Sequence, residues 1–385
     1  MTGIQVAWED VFSVLNIIKV PLIVLLVGLV TSNFDKVIVV YNGASPLEMG
    51  WVEDYPQIKS LLVCPGVGAT GFNALGKVLS GEIDPSGRTV DTWLYDQTSA
   101  PSYRNIGHFA YDNVEDVTSA AKAHWERADG VVSFVNYVES IYVGYRFYET
   151  AAAEGLIDYD STVQYPFGYG LSYTTFSQAM GDLKVSNGAI SVDVTVTNTG
   201  SVPGKDVAQL YYDPPYTNGG IEKASANLIA FGKTELLEPG QSQTLTLTFT
   251  EESMASYDDR GRGCYVLEAG DYVISLNSDS HTVLDSRTHT VGSDIVYDQS
   301  NQRSDDKVPA VNQFDYARGE VTYLSRADGF ANYEQAVASP ASYSLPDQYE
   351  VTGNGTYDEC LQTEKAISGS ALICRSEDAQ VQFSA

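Results

Sequence analysis

The chain has 385 residues, which is enough for two or three domains with separate hydrophobic cores. Its formal net charge of −28 argues against nucleic acid as a partner, because a polyanion is bound by clustered lysine and arginine. The four cysteines and four histidines show no metal-ligand spacing, so the sequence predicts neither a metal site nor a cofactor.

The first predicted element is an apolar stretch. Val20–Val30 contains 11 residues without a polar side chain, whereas about 20 are needed to span a bilayer. Its extension toward the N-terminus includes Asn16 and Lys19, and carboxylates rather than a basic cluster precede it, so a signal peptide is not indicated. We expect a buried helix that leads into the next strand. Membrane contact through residues 15–30 stays open. The localisation of the protein is unknown, although the sequence favours the cytoplasm over membrane anchoring or export.

Residues 33–175 have the pattern of an α/β domain with a mostly parallel sheet. Two β-branched runs, Lys36–Tyr41 and Lys59–Cys64, flank a short helical stretch, and a helix is predicted over Phe72–Ser80. Continuous apolar runs are typical of parallel strands that are covered on both faces. Residues 93–165 are polar and aromatic with little periodicity, and they are predicted to be long surface excursions.

From residue 183 the pattern changes to strict alternation. Ile190–Thr197 alternates apolar and polar residues and ends at Asn198-Thr199-Gly200. Short alternating strands with turn signals between them predict an all-β sandwich over residues 183–293, joined to the α/β domain near residues 176–182. Residues 294–385 lose the alternation and are predicted to be a linker or extension, with short helices around 320–338. The further sandwich strands are predicted at 206–212, 228–234, 243–249 and 270–276.

A glycine pattern offers one functional interpretation. Gly66–Gly71 fits G-x-G-x-x-G, follows a strand and opens a helix, and Asp91 lies 20 residues after it, as in a dinucleotide-binding fingerprint. Pro65 stiffens the turn, the helix is short, and the turn Asp84–Arg88 occupies the place of the next strand. A nucleotide site therefore stays a minor alternative.

Longer motifs point to a family. They occur in order between residues 33 and 280, and together they resemble glycoside hydrolase family 3, the β-glucosidase-like hydrolases. The first four resemble its C-terminal α/β sandwich domain, and the last two resemble its fibronectin type III-like domain. The resemblance implies a retaining glycosidase that hydrolyses O-glycosyl bonds of an oligosaccharide or β-glucoside in carbohydrate breakdown. The motifs are Lys36–Met49, Cys64–Arg88, Glu139–Thr150, Tyr165–Phe176, Val194–Tyr211 and Phe231–Gln241.

The catalytic groups that the resemblance implies are absent from the sequence. Retaining hydrolysis uses two carboxyl groups about 5 Å apart. In the family the nucleophile is an Asp in a Ser-Asp-Trp context on a barrel domain, and the acid/base is a Glu in a Glu-Gly-x-Asp-Arg context. Neither occurs here, since Glu154-Gly155 is followed by Leu156-Ile157-Asp158 without arginine. No catalytic residue is assigned, the chain alone is expected to be inactive, and whether it is itself an enzyme stays open.

Two segments suggest how the chain relates to such an enzyme. Residues 1–32 match nothing in the family, so the α/β domain is expected to be partial, and an incomplete sheet invites association into a homo-oligomer. Residues 314–330 resemble the connecting segment of members in which the sandwich and fibronectin-like domains precede the barrel. This resemblance implies the N-terminal part of a reversed-order enzyme, ended within the linker. Arg326 and Asp328 are then candidate contacts at the active-site mouth, with a salt-bridged linker as the alternative.

Two further interpretations concern small groups of side chains. A stand-alone carbohydrate-binding or adhesion module is the alternative function, with Tyr211, Tyr212 and Tyr216 as a sugar platform. Glu139 and Arg146 are predicted to pair across a strand turn in a structural role, with a catalytic role as the alternative.

Overall fold

The structure is a computed structural model that describes residues 25–68, 70–105, 109–110, 133–134, 136–306 and 321–338. The chain divides into two compact units. One consists of residues 1–83 with 93–95, and the other of residues 84–92 with 96–385. The predicted domain limits at 175, 183 and 293 follow the sequence patterns and stay a prediction.

The first unit contains a two-stranded parallel sheet, as predicted. Strand β1 (Val37–Tyr41) pairs with β2 (Ile58–Val63). Between them lies the 3-10 turn Gly50–Asp54, and helix α2 (Phe72–Leu79) follows β2. Strand β3 (Trp93–Leu94) completes the unit, and Trp93 contacts the Tyr41 ring edge-to-face at 5.8 Å.

Much apolar surface of this unit is exposed. Helix α1 occupies residues 25–33 of the described part, and α2 has no buried residue. A parallel sheet is normally covered on both faces, so the described part of this unit lacks a full second layer. Only the end of the apolar stretch 15–30 is described, and none of the described helices is long and apolar enough to cross a membrane. Large exposed apolar side chains include Leu25, Leu26, Leu29, Phe34, Ile38, Val40, Phe72 and Leu79.

The second unit is built on a β-sandwich, which confirms the all-β prediction. One sheet has the order β11-β10-β15-β16, and the other has the order β12-β9-β7 with β8 also paired to β9. A three-stranded sheet β13-β14-β17 adjoins them. The strands are β7 (Phe176–Met180), β8 (Lys184–Ser186), β9 (Ala189–Asn198), β10 (Val207–Asp213), β11 (Asn227–Lys233), β12 (Ser242–Thr250), β13 (Ser256–Asp258), β14 (Cys264–Leu267), β15 (Gly270–Asn277), β16 (Val283–Val291) and β17 (Ile295–Tyr297).

The alternation of β9 produces the core of the sandwich. Ile190, Val192, Val194 and Val196 point to one face and are fully buried, and the polar residues between them are half-buried. Burial of each such side chain contributes about 1.5–3 kcal/mol. Strand β7 lies in the stretch 176–182 that was predicted to connect the domains, and it pairs with β9 as a further sandwich strand.

Helix α3 (Tyr145–Ala153) was not predicted from the sequence. It lies in the stretch that we interpreted as surface excursions, and its residues Phe147–Ala151 are all buried. Continuous burial removes the polar face whose periodicity would indicate a helix.

The second unit contains several further short elements. These are β4 (Phe109–Ala110), which pairs with β5 (Ser133–Phe134), then α4 (Tyr159–Thr162) and β6 (Val163–Tyr165), with 3-10 turns at Gln97–Ser99, Tyr103–Asn105 and Glu251–Met254.

An aromatic and glycine corner attaches α3 to the sandwich. Tyr145 stacks on Phe167 at 4.6 Å and meets the Tyr211 ring edge-to-face. Gly168 has φ +82°, and a Cβ there would lie 2.2 Å from the Gln209 amide oxygen, so only glycine fits. The Gln209 amide donates to the Gly168 carbonyl at 3.0 Å. The corner therefore serves to pack α3 against the sandwich.

Residues 321–338, called the strap below, carry the last two described helical segments. These are α5 (Ala327–Phe330) and α6 (Tyr333–Val337), close to the short helices predicted around 320–338. The other residues of the predicted extension, 307–320 and 339–385, lie outside the described part.

Candidate functional site

The strap is anchored on α3 and on the loop that precedes it. The Leu324 amide donates to the Val138 carbonyl at 2.7 Å. Phe330, 1% exposed, meets the rings of Tyr142 at 5.0 Å and Phe147 at 5.9 Å. The strap is therefore part of the packed unit.

Glu222 joins three segments at one carboxylate. It accepts hydrogen bonds from the Tyr142 hydroxyl at 2.6 Å, from the Arg326 amide at 2.9 Å and from the Ser325 hydroxyl. The Arg260 guanidinium lies 3.6 Å from Glu222 Oε1, the oxygen that also accepts from Ser325. Only 10% of the Glu222 side chain is exposed, so each of these donors offsets the desolvation of the carboxylate. No sequence signal marked Glu222, because its partners lie far away in the chain.

Arg326, a predicted contact at the active-site mouth, is held inside a clamp. Its Nε donates to Glu154 Oε1 at 2.5 Å, and its Nη1 donates to the Lys223 carbonyl at 3.1 Å. Its guanidinium lies 4.2 Å from the Tyr216 ring centroid in a cation–π contact. The geometry supports the alternative interpretation of a salt-bridged linker. Glu154, which lacks the family's following arginine in sequence, is paired with an arginine from the strap.

Asp328, the second predicted residue, occupies a different environment. It is exposed, and its carboxylate accepts from the Asn218 amide at 2.7 Å. The run Asp328, Gly329 and Phe330 has φ values of +53°, +67° and +63°. For the two non-glycine residues the left-handed conformation costs about 1 kcal/mol each. Arg326 and Asp328 therefore have different environments. Arg326 lies in the clamp, and Asp328 lies at the surface.

A cavity of about 420 Å³ opens beside this turn. Asp328 and Arg260 line it from two sides. The remaining lining belongs to the strap and mixes polar, small, apolar and aromatic side chains, namely Val321, Thr322, Tyr323, Ser325, Ala327, Ala331 and Asn332.

A second buried carboxylate connects α3 with the sandwich. Glu149, 8% exposed, accepts hydrogen bonds from the Tyr159 and Ser280 hydroxyls at 2.7 Å each, and Nδ1 of His281 lies 2.9 Å away. The His281 ring stacks on Tyr159 at 3.6 Å. The hydrogen bond to the Glu149 carboxylate raises the pKa of His281.

The predicted ion pair between Glu139 and Arg146 is wrong for the described structure. Arg146 is exposed and lies over the Tyr145 ring, whereas Glu139 is 9% exposed and its Oε2 has no hydrogen-bond partner within the described part. Burial raises the pKa of this carboxyl. The strand turn across which the two were predicted to pair does not form, because Arg146 lies in helix α3 (Tyr145–Ala153).

The predicted sugar platform is also wrong. Tyr211 is 1% exposed and donates its hydroxyl to Gln209 at 2.9 Å. Tyr212 is half-buried and lies 6.5 Å from the Tyr272 ring, and the Tyr216 ring is covered by Arg326. Alternation along β10 could not show which of its two faces is covered by the corner that attaches α3.

Among the described residues, no group of three or more His, Cys, Asp or Glu could hold a metal ion.

Comparison with known proteins assigns the two parts of the chain. Residues 24–173 match the glycosyl hydrolase family 3 C-terminal domain, and residues 206–280 match the fibronectin type III-like domain. The chain is similar to "Beta-glucosidase" of Ruminococcus albus, with 32% identity over 345 residues, covering 86% of this chain and 33% of that protein. "Beta-glucosidase A" of Butyrivibrio fibrisolvens is 34% identical over 300 residues, covering 72% of this chain and 32% of that protein.

A solved structure supports the same assignment. The β-glucosidase of Paenibacillus barengoltzii superposes with a TM-score of 0.58 at 34% identity, over 69% of this chain and 27% of that one. The chain belongs to glycoside hydrolase family 3. It spans about a third of the length of the curated relatives that it matches.

Proposed function

We propose that this chain is the non-catalytic portion of a β-glucosidase-like hydrolase, and that it contributes to hydrolysis only together with a catalytic barrel. One observation carries the proposal. The chain matches a third of the length of proteins named as β-glucosidases, while its own sequence contains neither Ser-Asp-Trp nor Glu-Gly-x-Asp-Arg. The substrate class, a β-glucoside or a related oligosaccharide, follows from the names of these relatives.

The role of the chain in that enzyme is support rather than bond cleavage. Its best-defined polar clusters are saturated by structural contacts. Glu222 accepts from three donors, Glu149 from two hydroxyls and His281, and Glu154 is paired with Arg326. A carboxylate held in this way is poorly suited to act as nucleophile or acid/base.

Hydrolysis assays of the purified 385-residue chain test this proposal. We expect no turnover of an aryl β-glucoside, because loss of a catalytic carboxylate costs about 10³-fold or more in rate. The full-length Ruminococcus albus relative serves as the positive control. Turnover that disappears on substitution of a single Asp or Glu within this chain would contradict the proposal.

We propose further that the barrel follows this portion in the reversed domain order. The resemblance of residues 314–330 to the connecting segment supports this order. The match to the Ruminococcus albus protein covers 86% of 385 residues, or about 331 residues. A continuous match of that length includes residues 294–331 wherever it begins, so the segment after the sandwich is shared with that relative.

The DNA on both sides of the coding sequence decides the domain order. We expect a barrel with a Ser-Asp-Trp motif downstream, in any reading frame. A barrel encoded upstream instead would overturn the reversed order and leave the membership in the family unchanged.

A further inference from the structure

The cavity beside the Asp328 turn has the volume of a small-molecule site. Its volume of about 420 Å³ lies within the range of about 300–1,000 Å³ that is usual for ligand pockets. Arg260 enters from the sandwich side, between β13 and β14, and all the other lining residues belong to the strap. The cavity therefore exists only because the strap is docked.

The lining contains a positively charged donor, a negatively charged acceptor and a neutral hydroxyl. Arg260 offers only donors, Asp328 offers acceptors, and the Thr322 hydroxyl can do both. An anion in the cavity would meet the Asp328 carboxylate, and a cation would meet the Arg260 guanidinium. A neutral molecule with several hydroxyl groups satisfies both kinds of partner. The small side chains of Ala327 and Ala331 leave room for its ring.

The backbone beside the cavity contains two left-handed residues that are not glycine. Asp328 and Phe330 are left-handed although neither is glycine, and Phe330 is fixed in place by the rings of Tyr142 and Phe147. The consequence of this turn is that Asp328 is presented at the cavity while Phe330 is buried. Strain of this kind is concentrated at ligand sites.

We infer that this cavity binds a neutral saccharide unit, with Asp328 and Arg260 as its polar contacts. The inference deepens the proposed function, on which it rests for the presence of a sugar near the chain, but binding itself needs no barrel. The site would hold a sugar residue beside the segment that leads away from the sandwich. It differs from the tyrosine platform predicted from the sequence, whose rings are covered.

Saturation-transfer NMR on the purified full chain tests the inference, with glucose and cellobiose as probes. We expect transfer to both sugars, and an affinity that falls about tenfold on Asp328→Gly or Arg260→Ala, since each change removes a charged hydrogen-bond partner. Glycine at 328 keeps the left-handed backbone, and Arg260→Ala leaves the turn untouched. Arg262→Ala is the matched control, because Arg262 is 47% exposed, compared with 49% for Arg260, and pairs with Asp294 outside the cavity.

Three results would overturn the inference. They are the lack of transfer to either sugar, an affinity that neither cavity variant changes, and tighter binding of inorganic phosphate than of sugar. Each leaves the proposed function intact if the chain, joined to a barrel, supports hydrolysis. Conversely, sugar binding that depends on Asp328 and Arg260 supports the site even if the chain is never part of an active enzyme.

Discussion

His281 connects the pH of the solution to the packing of α3 on the sandwich. The groups that face it are the Glu149 carboxylate, the Tyr159 ring and hydroxyl, and the more distant carboxylates of Asp160 and Asp279. The Asp279 carboxylate is also occupied by the backbone amide of His281 at 3.0 Å. All the charged groups in this set are negative, so protonation of the imidazole is favoured in the folded protein.

The stability that His281 contributes should therefore decrease as the pH rises. Its pKa is raised in the folded state, so the contribution is fully present below the unfolded pKa of about 6.5 and is lost as the pH passes the folded pKa. The His281→Phe variant keeps a ring beside Tyr159 but removes the hydrogen bond and the charge. We expect the difference in free energy of unfolding between wild type and this variant to be largest near pH 5.5 and smaller near pH 8.5.

Urea titrations at several pH values measure this difference. A difference that is constant with pH, or that grows toward high pH, would show that the ion pair with Glu149 does not contribute to stability.

Arg326 connects the strap to the end of α3 and to the loop that follows β10. Arg326→Ala removes the ion pair with Glu154, the hydrogen bond to the Lys223 carbonyl and the contact with the Tyr216 ring. The Arg326 side chain is 11% exposed and that of Glu154 is 24% exposed, so the loss leaves a largely desolvated carboxylate. We expect a decrease of about 3 kcal/mol in the free energy of unfolding.

Hydrogen exchange locates the effect of this substitution. Amides of residues 321–338 should exchange faster in Arg326→Ala, whereas those of β9 should change little. Lys77→Ala is the control, since the Lys77–Glu82 pair is more than half exposed on both sides and contributes little. Equal exchange of the strap in wild type and Arg326→Ala would contradict the clamp.

The elements differ in how much of them the sequence could predict. Alternation in Ile190–Thr197 predicted β9, because one buried face and one exposed face produce that pattern directly. Helix α3 escaped prediction because it has too little exposed surface to show a period. The contact between Arg326 and Glu154 was not predicted, because the two residues are 172 positions apart in the sequence and no local pattern encodes such a pair. The family motifs did mark the corner at Phe167, although not what packs on it.

The two compact units differ in how their apolar surface is used. The sandwich buries a continuous cluster that includes Ile190, Leu210 and Ile274, each 0% exposed. In the described part of the first unit, buried apolar side chains are few, namely Met49, Val52, Trp93 and Leu94, and many others are exposed. A unit with less apolar burial has less to offset the conformational entropy lost on folding.

We therefore expect the first unit to unfold at a lower urea concentration than the sandwich. Tryptophan fluorescence reports the first unit, because Trp51 and the buried Trp93 belong to it and residues 176–297 contain no tryptophan. Far-UV circular dichroism reports mainly the strands of the sandwich. Substitution of Trp8 and Trp125 by phenylalanine removes the two other tryptophans, which lie outside the described residues. The fluorescence midpoint should then precede the circular dichroism midpoint, and coincident transitions would instead show that the whole chain unfolds as one cooperative unit.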